Sequence, residues 1–146
     1  MKEMKMLRAL FAAAIAVLAP FPATAEEDPR RAVEAYYAAI DRKDYRTAYQ
    51  LWDQQGQASG KSFTTFRDGF MATARSSVIT GSPTNGDAGM SQQWVDVPVD
   101  VHATLKNGGA QHFRGHYRLH RIVPGIGAPA DAEKWRLSSA KLVPVR

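Results

Sequence analysis

From Val95 the chain alternates strictly: Val95, Val97, Val99, Val101, Ala103 and Leu105 are separated by Asp96, Pro98, Asp100, His102 and Thr104. Successive side chains of a strand point to opposite faces, so this run is a strand with one buried and one wet face. After Asn107-Gly108-Gly109 the alternation resumes, with Phe113, Gly115, Tyr117 and Leu119 on one face and His112, Arg114, His116, Arg118 and His120 on the other. Two such runs around a glycine turn make a hairpin. A two-residue Asn-Gly turn would slip the pairing by one residue and set each valine against a His or Arg. A three-residue loop, Asn107 to Gly109 with one glycine in the left-handed region, keeps like faces together. It predicts Ala103 opposite Phe113, Val99 opposite Tyr117 and Val97 opposite Leu119. On the polar face it predicts Asp100 opposite His116, Asp96 opposite His120 and His102 opposite Arg114.

The first 25 residues read as a secretory signal peptide. Lys2, Lys5 and Arg8 precede the apolar run Leu10 to Leu18, and Ala23-Thr24-Ala25 offers the small residues that signal peptidase requires. The apolar run is short for a membrane span and leads into Pro20 and Pro22, so no membrane association is expected after cleavage. Residues 26–146 then form a single domain, expected in the periplasm or secreted. The chain has no cysteine, which excludes disulfides and lipid attachment through a thiol. Its formal net charge of +5 partly belongs to the leader. The only concentrated basic stretch, Arg114, Arg118 and Arg121, faces Asp96 and Asp100 across the hairpin, so no nucleic-acid partner is expected.

Ahead of the hairpin the period changes to that of a helix. Asp28-Pro29 places a capping carboxylate before a proline whose missing N–H is harmless at a first turn. Val33, Tyr36, Tyr37 and Ile40 follow at i, i+3, i+4 and i+7. Asp44 caps a second helix carrying Tyr45, Ala48, Tyr49 and Trp52, and Gln54 to Lys61 reads as a loop. Ser62 caps a third helix, with Phe63, Phe66, Phe70 and Met71 inward and an end near Ala74. Ser76 to Gly81 reads as a first strand and Ser82 to Gln93 as an exposed loop. A long Gly/Pro/Ala connection from Val123 to Ala132 leads to a final strand, whose two halves, Trp135-Leu137 and Leu142-Val145, are reconciled by a bulge near Ala140-Lys141. The fold class is α+β: three N-terminal helices packed on a curved antiparallel sheet of about four strands.

The words Ala32-Val33-Glu34-Ala35-Tyr36-Tyr37-Ala38-Ala39-Ile40, Asp44-Tyr45, Ala48-Tyr49, Ser62-Phe63-Thr64-Thr65-Phe66 and Trp135-Arg136-Leu137 resemble the nuclear transport factor 2-like superfamily over nearly all of residues 26–146. The resemblance implies a conical, cystatin-like packing of helices on a sheet. It includes ketosteroid isomerase-like and polyketide cyclase-like enzymes as well as non-catalytic binding and dimerisation domains, so fold alone leaves function open. The enzymes carry a carboxylate base and a hydrogen-bond donor inside the cone. Here the inward strand positions hold Val, Ala, Phe, Gly, Tyr and Leu. The remaining acids are Asp41 and Asp53, near helix ends.

Tyr37, Trp52, Phe66, Phe70, Phe113 and Tyr117, with Tyr36 and Tyr49, are candidates to line a pocket for a small apolar molecule, and Gly115 between two inward aromatics leaves room there. Ordinary core packing is the competing reading of the same stripe. Asp96, Asp100, His102, Arg114, His116 and His120 form a polar outer face that suits a protein partner or a homodimer contact. A metal is not expected. Residues i and i+4 on a strand lie about 13 Å apart, so His112, His116 and His120 cannot share an ion, and the best surviving trio is Asp100, His116 and His102. No Gly-x-Ser-x-Gly, phosphate loop or His-Glu-x-x-His is present, and no cofactor is expected. The sequence thus points to an exported, non-catalytic domain binding a small apolar ligand or a partner. The alternative is a cofactor-free isomerase or cyclase using Asp41 or Asp53 with a tyrosine.

Overall fold

The computed structural model describes residues 28–146, so the expected leader and its cleavage site lie outside the described residues. Helix α1 runs Pro29–Asp41 and starts where the Asp28 carboxylate accepts the Arg30 N–H at 3.0 Å. Its stripe of Val33, Tyr36, Tyr37 and Ile40 is buried. Helix α2, Tyr45–Gln50, is capped by Asp44, and α3, Phe63–Asp68, by Ser62, each accepting an N–H three residues on. Between them Gln54–Ser59 forms a 3-10 turn rather than an open loop. The third helix stops well before Ala74. The Ala72 carbonyl accepts the Lys106 N–H at 2.8 Å and Thr73 pairs with Leu105, so the sheet captures this backbone before the helix can continue. Met71 is left half exposed instead of facing inward.

The strands are β1 Thr73–Thr80, β2 Thr84–Gly89, β3 Gln92–Leu105, β4 Ala110–Ile122 and β5 Arg136–Pro144. They form one antiparallel sheet ordered β1-β3-β4-β5, with β2 pairing the N-terminal half of β3 beside β1. The sheet therefore has five strands, and the stretch expected as a loop from Ser82 to Gln93 contains β2. Every β2 residue is exposed, so it carries no apolar alternation. Its turn, Met90-Ser91, takes positive φ of 52° and 66° without a glycine at either position. The Asn-Gly type of signal that marks such turns is missing at these two positions.

The central hairpin keeps its expected faces but not its expected partners. Val101 lies opposite Phe113, Val99 opposite Gly115, Val97 opposite Tyr117 and Val95 opposite Leu119. The loop does have three residues, placed one position earlier, Lys106 to Gly108. The Leu105 N–H donates to the Gly109 carbonyl at 2.8 Å, and the Gly108 N–H to the Leu105 carbonyl at 2.9 Å. Either glycine could supply the left-handed residue. Gly108 does so, at φ 88°, while Gly109 joins the strand side and receives the Asn107 side-chain oxygen on its N–H. Moving the loop by one residue moves the register by two, which preserves the faces and replaces every pair.

Strand β5 carries its bulge at Ser138, between Leu119 opposite Leu137 and Arg118 opposite Ser139, rather than at Ala140-Lys141. The extra residue turns both Leu137 and Leu142 toward the helices. Gly115 also has a different role from the one expected. A Cβ there would stand 1.7 Å from the Lys141 carbonyl oxygen, so the glycine admits the β5 backbone and leaves no space for a ligand. The core lies between α1, α2 and the inner face of β3, β4 and β5. Ile40, Val97, Leu119 and Leu137 are essentially solvent-free there, each worth about 1.5–3 kcal/mol of burial.

Candidate functional site

The inward aromatics fill the cone by touching one another. Tyr36 meets Tyr37, Trp52, Phe66 and Tyr117 at ring-centroid distances of 5.1, 6.1, 6.2 and 5.9 Å. The hydroxyls of Tyr37 and Tyr117 share a buried hydrogen bond of 2.5 Å. Burial pushes the Tyr37 phenol up to about 12, and Tyr36 and Tyr117 are raised by burial as well, so all three stay neutral donors across the physiological range. Phe70 stacks on Tyr45 at the rim. What remains open here is a recess of about 170 Å³ bordered by Trp52, Phe66 and Phe70. Phe113 does not border it; it packs against the core about 13 Å along β4 from Tyr117.

A larger cleft, about 730 Å³, lies beside the start of β5, lined among others by Arg46, Asp53, His120, Arg121, Lys134 and Arg136. Its floor is built by backbone pairing. The Leu137 N–H donates to the Leu51 carbonyl at 2.9 Å and the Asp53 N–H to the Leu137 carbonyl at 2.7 Å, so residues 51–53 run along the outer edge of β5. The Trp52 side chain is buried in the core from this segment, while the Asp53 carboxylate lies at the cleft. Asp53 Oδ2 lies 2.6 Å from His120 Nδ1, and His120 Nε2 lies 2.6 Å from Gln92 Oε1. Trp94, opposite His120 in the ladder, covers the imidazole at 5.3 Å between ring centroids. Both ring nitrogens are engaged and the ring is walled by an indole, so His120 is held in one orientation.

Among the described residues that line the cleft, Arg46, Arg121, Lys134 and Arg136 outnumber Asp53 and Asp131. The Arg136 guanidinium donates to Asp131 at 2.6 Å, and Arg121 reaches Gln93 at 2.8 Å while its guanidinium lies 4.4 Å over the Trp135 ring. Arg46 stacks on Phe63 at 3.8 Å. Held this way, the cationic groups give the cleft a positive field suited to an anion. Asp41, the other acid considered from sequence, is committed elsewhere. Its Oδ1 accepts the Ser76 N–H at 3.0 Å and Arg75 Nε at 3.1 Å, tying α1 to β1. The Ser76 N–H, and then Arg75, hold its carboxyl below the ordinary aspartate value.

The polar outer face is divided into separate clusters by the observed register. Asp96 sits opposite Arg118, not His120, and accepts from Arg118 at 2.9 Å and Asn85 at 3.0 Å. Burial raises the Asp96 carboxyl, but those donors outweigh it and hold the group below its ordinary value. Asp100 sits opposite Arg114, not His116; His102 sits opposite His112, not Arg114; His116 faces Pro98. His120 leaves this face's acids altogether for Asp53. Gln92, Arg46 and Arg136 were not singled out in the sequence, because nothing local links them to residues tens of positions away.

No protein-family model matches the chain, and no curated protein matches it. Solved structures do. The "putative dehydratase from the NTF2-like family" of Streptomyces avermitilis aligns at a TM-score of 0.53 with 15% identity, covering 86% of this chain and 99% of that one. The "putative scytalone dehydratase" of Novosphingobium aromaticivorans aligns at 0.56 with 9% identity, covering 80% and 81%. A nuclear transport factor 2-like superfamily protein of Salmonella enterica aligns at 0.51 with 14% identity, covering 77% and 85%. These likenesses show that the chain has a nuclear transport factor 2-like fold.

Proposed function

We propose that this nuclear transport factor 2-like domain binds a small anionic molecule in the cleft over Asp53 and His120. One observation carries the reading: the cleft's volume falls in the range of small-molecule sites, and Arg46, Arg121, Lys134 and Arg136 border it. An acidic group of the ligand pairs with the rim, and its hydroxyl or amide groups meet Asp53 and His120 at the floor. The purely apolar ligand expected from the aromatic stripe has less support, since the recess left among those rings is about 170 Å³. Isothermal titration of aromatic carboxylates against their uncharged amides tests this. Carboxylates should bind tighter, weaken as salt rises, and lose affinity in Arg136→Gln. Equal binding of acid and amide, insensitive to salt and to Arg136→Gln, would overturn it.

A second reading is supported by the hydrogen bond between Asp53 and His120 and by the two neighbours described as dehydratases. A carboxylate that orients an imidazole is a common proton-transfer unit, here serving a cofactor-free isomerisation or elimination. Gln92 occupies His120 Nε2, so a substrate has to displace that amide before the ring can exchange a proton with it. This requirement is why binding without chemistry is the leading reading. Export, and a homodimer or partner contact through the outer sheet face, belong to the same proposal. Export is supported by Lys2, Lys5, Arg8, the Leu10–Leu18 run and Ala23-Thr24-Ala25. The contact is supported by the exposed side chains of Ile79 and Val143 on that face.

A further inference from the structure

Far from the cleft, near the turn end of the central hairpin, Asp100, His102 and His112 converge on one point of the outer face. Asp100 and His102 are two apart on β3 and so share that face, while His112 stands directly opposite His102 on β4. The two imidazoles stack at 4.1 Å between centroids and 17° between planes. His102 Nε2 lies 3.0 Å from Asp100 Oδ1, and His112 Nε2 hydrogen-bonds the same oxygen. The three potential ligand atoms all lie within 4.8 Å of one another. The register expected from the sequence puts His116 in this trio; the observed register, shifted by two residues, puts His112 there.

We propose that Asp100, His102 and His112 bind one divalent transition-metal ion of the zinc, copper or nickel class. Two imidazole nitrogens and a carboxylate oxygen are the donor set such ions take, and the set leaves positions open on the solvent side. Ligand atoms about 2.1 Å from a common tetrahedral ion stand roughly 3.4 Å apart. Both imidazole nitrogens already stand closer than that to Asp100 Oδ1, so an ion enters by parting the carboxylate oxygen from the two rings, and the 54% exposed His102 side chain has room to swing outward. Arg114 supports the arrangement from behind. Its Nε donates to Asp100 Oδ2 at 2.8 Å, which fixes the carboxylate and leaves Oδ1 toward the histidines. The guanidinium charge counts against hard cations such as magnesium or calcium, which are held by charge. Ions that bond strongly to imidazole tolerate it better. The plain alternative is an Asp–His–Arg surface cluster that binds nothing. It accounts for the hydrogen bonds, but it does not need two imidazole nitrogens from different strands aimed at one oxygen.

The site lies about 27 Å along β4 from His120, so it is independent of the anion cleft. The test uses the untagged chain after chelator dialysis, titrated calorimetrically with zinc, copper, nickel and, as control, magnesium salts. The expected result is one transition-metal ion per chain and none of magnesium. His102→Ala and His112→Ala should each weaken binding at least about tenfold, and His116→Ala should leave it unchanged. Circular dichroism checks that each variant is folded. X-ray absorption of the zinc-loaded wild-type chain needs no variant and should show two imidazole nitrogens in the first shell. Absence of saturable binding, binding retained in a folded His112→Ala, or a first shell without two imidazoles would each overturn the site.

Discussion

Asp53 and His120, 67 residues apart in sequence, share a hydrogen bond of 2.6 Å at the floor of the cleft beside β5. The carboxylate is held on a segment paired to β5 and the imidazole on β4, so each strand end fixes one partner. Removing the acid leaves a mostly covered imidazole nitrogen without its acceptor. Asp53→Ala should therefore lower stability by about 1–2 kcal/mol in urea denaturation. A loss under a few tenths of a kcal/mol would mean the pair is incidental to the fold.

Gly115 answers to the β5 backbone. In Gly115→Ala the new methyl would meet the Lys141 carbonyl oxygen at 1.7 Å, a contact that main chain on both sides cannot relax by a rotamer change. We expect a loss of about 3 kcal/mol or more, or failure to fold. Thermal melting that places the variant within a degree or two of wild type would show that β5 can stand off from β4.

The Met90-Ser91 turn runs the other way. Both residues hold positive φ, and Met90 is 96% exposed, so its side chain contributes little there. Replacing the pair by Asn-Gly, which takes these angles readily, should raise stability by about 0.5–1 kcal/mol. A neutral or negative change would indicate that Met90 has a contact to protect.

Acid should weaken the fold through Asp41 and Asp96. The Ser76 N–H lowers the Asp41 carboxyl, and for Asp96 the Asn85 and Arg118 donors outweigh a burial effect of opposite sign. Both are depressed in the folded chain, so their contribution is complete above the unfolded aspartate value near 4. It is lost as pH falls through the lower folded values. Denaturation midpoints should be flat from about pH 7 to 5 and drop below about pH 4. The drop should be shallower in Asp96→Asn, measured relative to that variant's own neutral-pH stability. An unchanged slope would assign the acid sensitivity elsewhere.

Export is checked by mass spectrometry of periplasmic or medium fractions, where the chain should begin at Glu26. Recovery only of chain starting at Met1 in the membrane fraction would count against it.

Elements with strong periodicity were legible. Asp28, Asp44 and Ser62 announced three helix starts, and the valine alternation announced the faces of β3 and β4. The turn was only half legible, because adjacent glycines at 108 and 109 offer two placements that preserve the same faces. Strand β2 was invisible because it buries nothing, and its turn uses residues with no turn signature. The cleft was hidden for a different reason. Asp53 and His120 were each noticed, but no local pattern encodes that residues 51–53 pair with the edge of β5, and that pairing is what brings them together.

That edge pairing divides the cleft into a fixed half and an adaptable half. Asp53 cannot shift without unzipping residues 51–53 from Leu137, and His120 cannot shift without breaking a strand bonded on both sides. Asp131 and Lys134, by contrast, stand on the irregular connection ahead of β5, where substitution and insertion disturb no ladder. If the cleft binds the anion proposed for it, descendants of this chain can change which ligand they select by rewriting that connection, while the acid and the imidazole beneath it stay where the sheet puts them.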